Sequence, residues 1–267
     1  TNESTMQLLQ LWTVLYNFAG VEWATGLIQK RDGNLFYGGF SKILPEEHPF
    51  QSDLALISPK VPSTPLWSRS IDDNDAYTMA YGIAHTESGG VYIAGYTGGT
   101  LGIANKPGSF DSFAQKYSSE GNLEWSLLTG TSAVDQTMAA GASLTGQLYM
   151  VGLTNGALAG SNAGSSDIFI SSINPDGTIA WHQQFGTSFY DHPYALAVGS
   201  DESIYIAGHT GGSLNNQPYF GEDDIFLLRL NQDGDLIWSR QLGGLGGDHA
   251  YGILVSSDNT IYITGRM

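Results

Sequence analysis

The amino-acid sequence predicts an all-β fold, a β-propeller of four-stranded antiparallel blades. Three sets of markers carry that expectation. Trp12, Trp67, Trp125, Trp181 and Trp238 are spaced by 55, 58, 56 and 57 residues. Gly39, Gly95, Gly152, Gly208 and Gly265 are spaced by 56, 57, 56 and 57. Asp53, Asp111, Asp167 and Asp224 are spaced by 58, 56 and 57. Markers that keep one phase define a repeat of about 57 residues, and such units bury a continuous core by stacking on one another.

Each repeat reads as four short strands. In residues 191–241 these are Tyr194–Val198, Ser203–Gly208, Asp224–Leu230 and Asp235–Gln241. All are rich in β-branched, Leu or aromatic residues and are bounded by Gly, Asp, Asn or Ser. Asp176-Gly177 and Asp233-Gly234 supply positive φ for hairpin turns. No amphipathic helix of useful length is present. Four-stranded units repeated around an axis leave only short, protected sheet edges.

The repeats fall near 12–66, 67–124, 125–180 and 181–237, with a partial repeat at 238–267, all within one domain spanning 1–267. The chain enters on a fourth strand, Leu8–Tyr16, and stops after a second strand, Ile261–Gly265. Four complete blades and a fifth shared between the N- and C-termini account for this phase, although that fifth blade lacks a third strand. A closed ring and a piece of a longer propeller both fit.

The stretch from Trp181 to Trp238 joins a Trp strand, the strand Ile204-Tyr-Ile-Ala-Gly208, the turn Gly208-His-Thr210-Gly-Gly-Ser-Leu214, an Asp-x-Phe strand and an Asp-Gly turn. In these residues the chain resembles the seven-bladed β-propeller repeat family of bacterial and cyanobacterial proteins. Trp125 to Trp181 matches as well. The first blade departs, with Pro59, Pro62 and Pro65 where a turn glycine belongs, and the last ends Gly265-Arg266-Met267 without the Thr. The resemblance implies the fold and a secreted, periplasmic or cell-surface setting. It brings no shared catalytic residues.

Composition narrows the partners. The 267 residues are 41% apolar, enough for a core, and carry 26 acidic against 10 basic side chains, a formal charge of −16. That surface repels nucleic acid and anionic membranes. The absence of cysteine excludes disulfides and thiolate metal sites. No apolar stretch approaches the roughly 18–20 residues of a membrane span, and no signal peptide is visible at Thr1.

Alternating strand direction sorts the loops onto two faces. One face carries short turns such as Asn174–Gly177 and Asn231–Gly234. The other carries long, variable loops such as Gly95–Phe110, Gln184–Asp191, Gly208–Glu222 and Gln241–Asp248. Long loops on a rigid scaffold are where binding concentrates. On that face Glu22, Asp75, Asp135, Asp191 and Asp248 recur ahead of the innermost strand, with Thr78 in register in the second blade. Ringed at the channel mouth, such carboxylates suit Ca²⁺. The structural alternative, preferred here, is that each Asp braces its own loop through backbone N–H groups. Asp53, Asp111, Asp167 and Asp224, and Thr97, Thr154 and Thr210, read as turn-forming residues because every complete match repeats them. Phe189, Tyr190, Tyr219 and Phe220 lie in loops that differ between blades and are the candidate partner contacts. His192 and His249 each follow a ring Asp, but no nucleophile motif accompanies them. Asn231-x-Asp233-Gly-Asp235 reads as a hairpin turn rather than a calcium loop. The Trp repeated on each outer strand reads as packing between blades.

The expectation from sequence is therefore a non-catalytic binding or scaffold module that engages a protein or glycan through its long-loop face. It requires no cofactor, Ca²⁺ aside. An accessory subunit of a larger assembly is the first alternative. A quinoprotein-like enzyme is the second, disfavoured by a total of 10 basic residues.

Overall fold

The computed structural model describes residues 20–30, 32–43, 51–58, 65–71, 76–86, 88–103 and 107–267. It contains four consecutive four-stranded antiparallel sheets followed by a two-stranded one. The first blade comprises β1 (Gly20–Gln29), β2 (Leu35–Ile43), β3 (Gln51–Ile57) and β4 (Trp67–Ile71). The second comprises β5 (Thr78–His85), β6 (Val91–Thr97), β7 (Asp111–Tyr117) and β8 (Leu123–Thr129). The third comprises β9 (Asp135–Ala142), β10 (Leu148–Thr154), β11 (Asp167–Ile173) and β12 (Ile179–Phe185). The fourth comprises β13 (Asp191–Val198), β14 (Ile204–Thr210), β15 (Asp224–Leu230) and β16 (Leu236–Leu242). The last pair is β17 (His249–Val255) with β18 (Ile261–Arg266). The strand expected at Leu8–Tyr16, together with Pro59 and Pro62, lies outside the described residues.

The core sits between blades. Tyr149, Val151, Ile168 and Ile170 of the third blade pack against Ile204, Ile206, Phe226 and Leu228 of the fourth. Equivalent layers join the first blade to the second and the second to the third. Ala207, Ile225 and Leu227 meet Ala250 and Ile263 at the last junction. The second and third strands of a blade are covered on both faces, which is why β11 and β14 are buried along their whole length, their polar Ser171, Ser172, His209 and Thr210 included.

The recurrent glycine has a local cause. Each first strand carries a bulge opposite it, between Ala80 and Gly82, Pro193 and Ala195, or Ala250 and Gly252. The bulge drives backbone toward the second strand, so a Cβ on Gly95, Gly152, Gly208 or Gly265 would sit 1.9–2.1 Å from a carbonyl oxygen. The extra residue of each bulge, Tyr81, Tyr194 or Tyr251, is turned toward the long-loop end.

The tryptophans lock neighbouring blades from a half-buried position. The outer strand has a partner sheet on one side and solvent on the other. Trp67, Trp125 and Trp181 donate from Nε1 to the carbonyls of Ser119, Pro175 and Gln232, in the short turn of the next blade, at 2.9, 3.0 and 3.0 Å. Beneath each ring lies the turn glycine, Gly121, Gly177 or Gly234, at φ of 80, 89 and 87°. A side chain there would be strained by that φ and would meet the indole within 2.6–3.0 Å.

Candidate functional site

The residues that recur in every blade are occupied by the scaffold. Asp135 is buried, and its Oδ2 accepts the Thr131 amide at 2.6 Å and hydroxyl at 2.9 Å, while Oδ1 accepts Thr154 at 2.5 Å. Asp191 repeats this with the Thr187 amide at 2.6 Å and the Thr210 hydroxyl. Asp248 accepts the Gly244 amide at 2.6 Å. Burial raises the Asp191 pKa and the nearby Asp167 adds to it, while the Thr210 and Thr187 bonds pull it back. Each of these carboxylates thus accepts at least one amide of its own loop. Glu22 is in β1, paired with Ser41, but its side chain, like all of Asp75, lies outside the described residues. Asp167 and Asp224 likewise accept amides of their own loops, from Ala163 and Phe220. Thr97 and Thr210 accept from Gly99 and Gly212.

Chemistry gathers where the repeat is broken. On the long-loop face, at the junction of the fourth blade with β17–β18, the fold brings together His209 from the end of β14, Asp223 from the residue before β15, and His249 from the start of β17. One nitrogen of each histidine and one oxygen of Asp223 lie within 4.8 Å of one another. His249 Nε2 is 3.1 Å from Asp223 Oδ2. Tyr190 donates its hydroxyl to the other carboxylate oxygen, Oδ1, at 2.6 Å. The His209 and His249 rings stack with centroids 3.9 Å apart and planes at 9°. His192 meets His209 edge-on at 5.2 Å, and the bulge residue Tyr194 stacks on His209 at 5.4 Å. Tyr251, the next bulge residue, places its hydroxyl 3.4 Å from His249 Nδ1.

Why these residues meet follows from register. His209 pairs with His192 across the first and second strands. Asp223 is drawn to the next blade by backbone: the Asp248 amide donates to its carbonyl at 2.8 Å, in a parallel bridge to Gly247. That one bridge delivers the fourth blade's carboxylate to the fifth blade's histidine.

The electrostatics separate the groups. His209 is 4% exposed, and its Nδ1 is buried without a hydrogen-bond partner. Burial, helped by His249 and His192, lowers its pKa to about 4, so the ring is neutral near pH 7. Burial likewise lowers His192. Burial pushes the Asp223 carboxyl up, but the bonds from Tyr190 and His249 outweigh it and hold it below its ordinary value. The same bond to Asp223 pushes the Tyr190 phenol up to about 12. The result is an ionised carboxylate between a phenol donor and an imidazole, beside a second, buried and neutral imidazole. Such a set can move a proton or ligate a metal.

Sequence reasoning singled out His249 and Tyr190 but missed Asp223 and His209. Comparing blades position by position would have found both. The place of His209 is taken by Tyr96, Leu153 and Arg266 in other blades, and that of Asp223 by Ser52, Phe110 and Ser166. The four expected contact aromatics are exposed, Phe189 at 55%, Tyr190 at 39%, Tyr219 at 37% and Phe220 at 51%, and of these Tyr190 bonds the cluster through Asp223. Tyr219 is held by a hydrogen bond to the Glu222 carbonyl.

No family model matches the chain. The regulatory protein FlaEY of Caulobacter vibrioides is 30% identical over 112 residues, a match covering 42% of this chain and 11% of that protein's length. Among solved structures, an α-L-arabinofuranosidase of Fusarium graminearum superposes with a TM-score of 0.48 at 10% identity, over 92% of this chain and 73% of that one. A mannose phosphorylase of Leishmania mexicana superposes with a TM-score of 0.43 at 10% identity, over 93% and 81%. These likenesses concern architecture alone. The expectation of a non-catalytic scaffold is set aside, because these neighbours are named as enzymes; their names say nothing of this chain's own activity.

Proposed function

We propose that the chain carries an enzymatic reaction centre on its long-loop face, at the junction of the fourth blade with β17–β18. The observation that supports it most is the chain Tyr190–Asp223–His249, with links of 2.6 and 3.1 Å, set against the buried, neutral His209. A carboxylate that orients an imidazole beside exposed aromatic surface is an arrangement for proton transfer or water activation. The aromatic rim and the charge of −16 favour a neutral or cationic substrate, with a glycan as the class that suits stacking on Phe189, Tyr190 and Phe220. Membership of the seven-bladed propeller repeat family is part of the same reading, on the pattern from Trp181 to Trp238, as is an exported or surface setting.

The test is turnover of a panel of chromogenic glycosides and esters by the full chain, compared with Asp223→Asn and His249→Gln. Loss of at least 100-fold in either variant, with unchanged thermal melts, is the expected result, in line with the 10²–10⁴-fold typical of proton-transfer groups. Turnover indifferent to both substitutions would remove the centre from this junction.

A further inference from the structure

We propose that His209, Asp223 and His249 bind a divalent transition-metal ion of the zinc or cobalt class. The inference rests on the reaction centre just described and gives it a cofactor. Two imidazoles and one carboxylate form a donor set typical of such ions, and three protein ligands leave a position open for water or substrate. An oxygen-rich set for Ca²⁺ is not what gathers here.

Two independent features point to a ligand. His209 Nδ1 is buried and has no hydrogen-bond partner, in a side chain only 4% exposed. An orphaned buried nitrogen is costly unless something fills it. The outer contacts also suit a metal site. Tyr190 holds Asp223 through Oδ1, which leaves Oδ2 to face the histidines, and the Tyr251 hydroxyl lies near the remote nitrogen of His249. Partners of this kind orient ligating groups.

Some movement is needed. Bonds of about 2.0–2.2 Å set donor atoms roughly 3–4 Å apart, so the 4.8 Å triangle tightens on binding. The parallel stack of His209 on His249 opens as well, because in-plane lone pairs of parallel rings do not converge. Arg266 lies 3.3 Å from His249 Nε2 and swings out, since its positive charge competes with the ion.

The test uses the full chain stripped with EDTA and titrated calorimetrically with Zn²⁺, and in parallel with Co²⁺ followed by visible absorption. One ion per chain is expected, with a d–d spectrum for Co²⁺. Asp223→Asn and His249→Gln abolish that binding, and Tyr190→Phe weakens it by about 10–100-fold. His182→Gln, outside the cluster, leaves it unchanged. Melts without metal establish that each variant is folded. Failure of the unaltered chain to bind either ion stoichiometrically overturns the proposal, as does binding that survives Asp223→Asn and His249→Gln. If no metal binds while those variants still abolish turnover, the metal falls and the reaction centre stands. If metal binds and no substrate is turned over, the reverse holds.

Discussion

Replacing Trp181 tests how blades are held together, because its contacts can be separated. The ring is half-buried, packs on Tyr149 at a centroid distance of 6.1 Å, covers Gly234, and donates to the Gln232 carbonyl at 3.0 Å. An aromatic side chain buries about 150–250 Å², and the lower figure suits this ring. At ~25 cal/mol per Å² that is about 4 kcal/mol, reduced to about 3 for a compact unfolded chain. The hydrogen bond adds about 1 kcal/mol. Trp181→Ala should therefore cost about 4 kcal/mol, and Trp181→Phe, which keeps most of the area, about 1 kcal/mol. For a chain of this size each kcal/mol moves the melting temperature by roughly 2–4 °C. Urea titration and calorimetry of the two variants measure both quantities. Equal losses for Ala and Phe, or an Ala loss under about 1 kcal/mol, would refute an area-dominated lock.

Asp191→Asn should destabilise the fold by about 1.5–3 kcal/mol, because the Thr187 amide and the Thr210 hydroxyl lose a charged acceptor. Melts of the unaltered chain in EDTA and in millimolar Ca²⁺ should superimpose, since the Asp135, Asp191 and Asp248 oxygens are engaged by their loops; a shift that this variant removes would restore the Ca²⁺ expectation. His182, bonded to Ser171 at 2.7 Å, has its pKa lowered by burial. The unfolded chain then binds the extra proton first, so stability falls as pH drops below the ordinary value of about 6.5. His182→Gln should flatten that part of the stability profile, and an unaltered slope between pH 7 and 5 would show that the ring titrates as it does in the unfolded chain.

The fold was legible because a repeat states the same requirement several times. Gly208 alone says little; Gly95, Gly152, Gly208 and Gly265 in phase report a bulge that presses each second strand. Strand bounds were read to within a few residues. Asp224–Leu230 coincides, while the first strand of that blade begins at Asp191 rather than Tyr194, since the bulge interrupts its alternation. The candidate centre was largely illegible for the complementary reason. Its residues come from the end of β14, the residue before β15 and the start of β17, and only inter-blade register makes them neighbours. Recurrence drew attention to Asp135, Asp191 and Asp248, but recurrence cannot separate a ligand from a brace; what the structure adds is that they accept the Thr131, Thr187 and Gly244 amides. The Trp positions read as packing between blades, and they pack from a half-buried position because an outer strand has solvent on one side.

The indole-to-turn hydrogen bonds give the row of blades a direction. Trp67 reaches forward to Ser119, Trp125 to Pro175 and Trp181 to Gln232, each toward the C-terminus. Every such turn is thus clamped by the sheet before it. Nearest-neighbour coupling of this kind is not symmetric about a blade. Local opening of the second blade frees the 174–177 turn of the third, yet leaves the 118–121 turn of the second still held by Trp67. Fraying should therefore travel like a zip with one slider, from the first blade toward the fourth. The fourth blade, whose β14 carries His209, stands at the receiving end of that relay, its 231–234 turn held by Trp181.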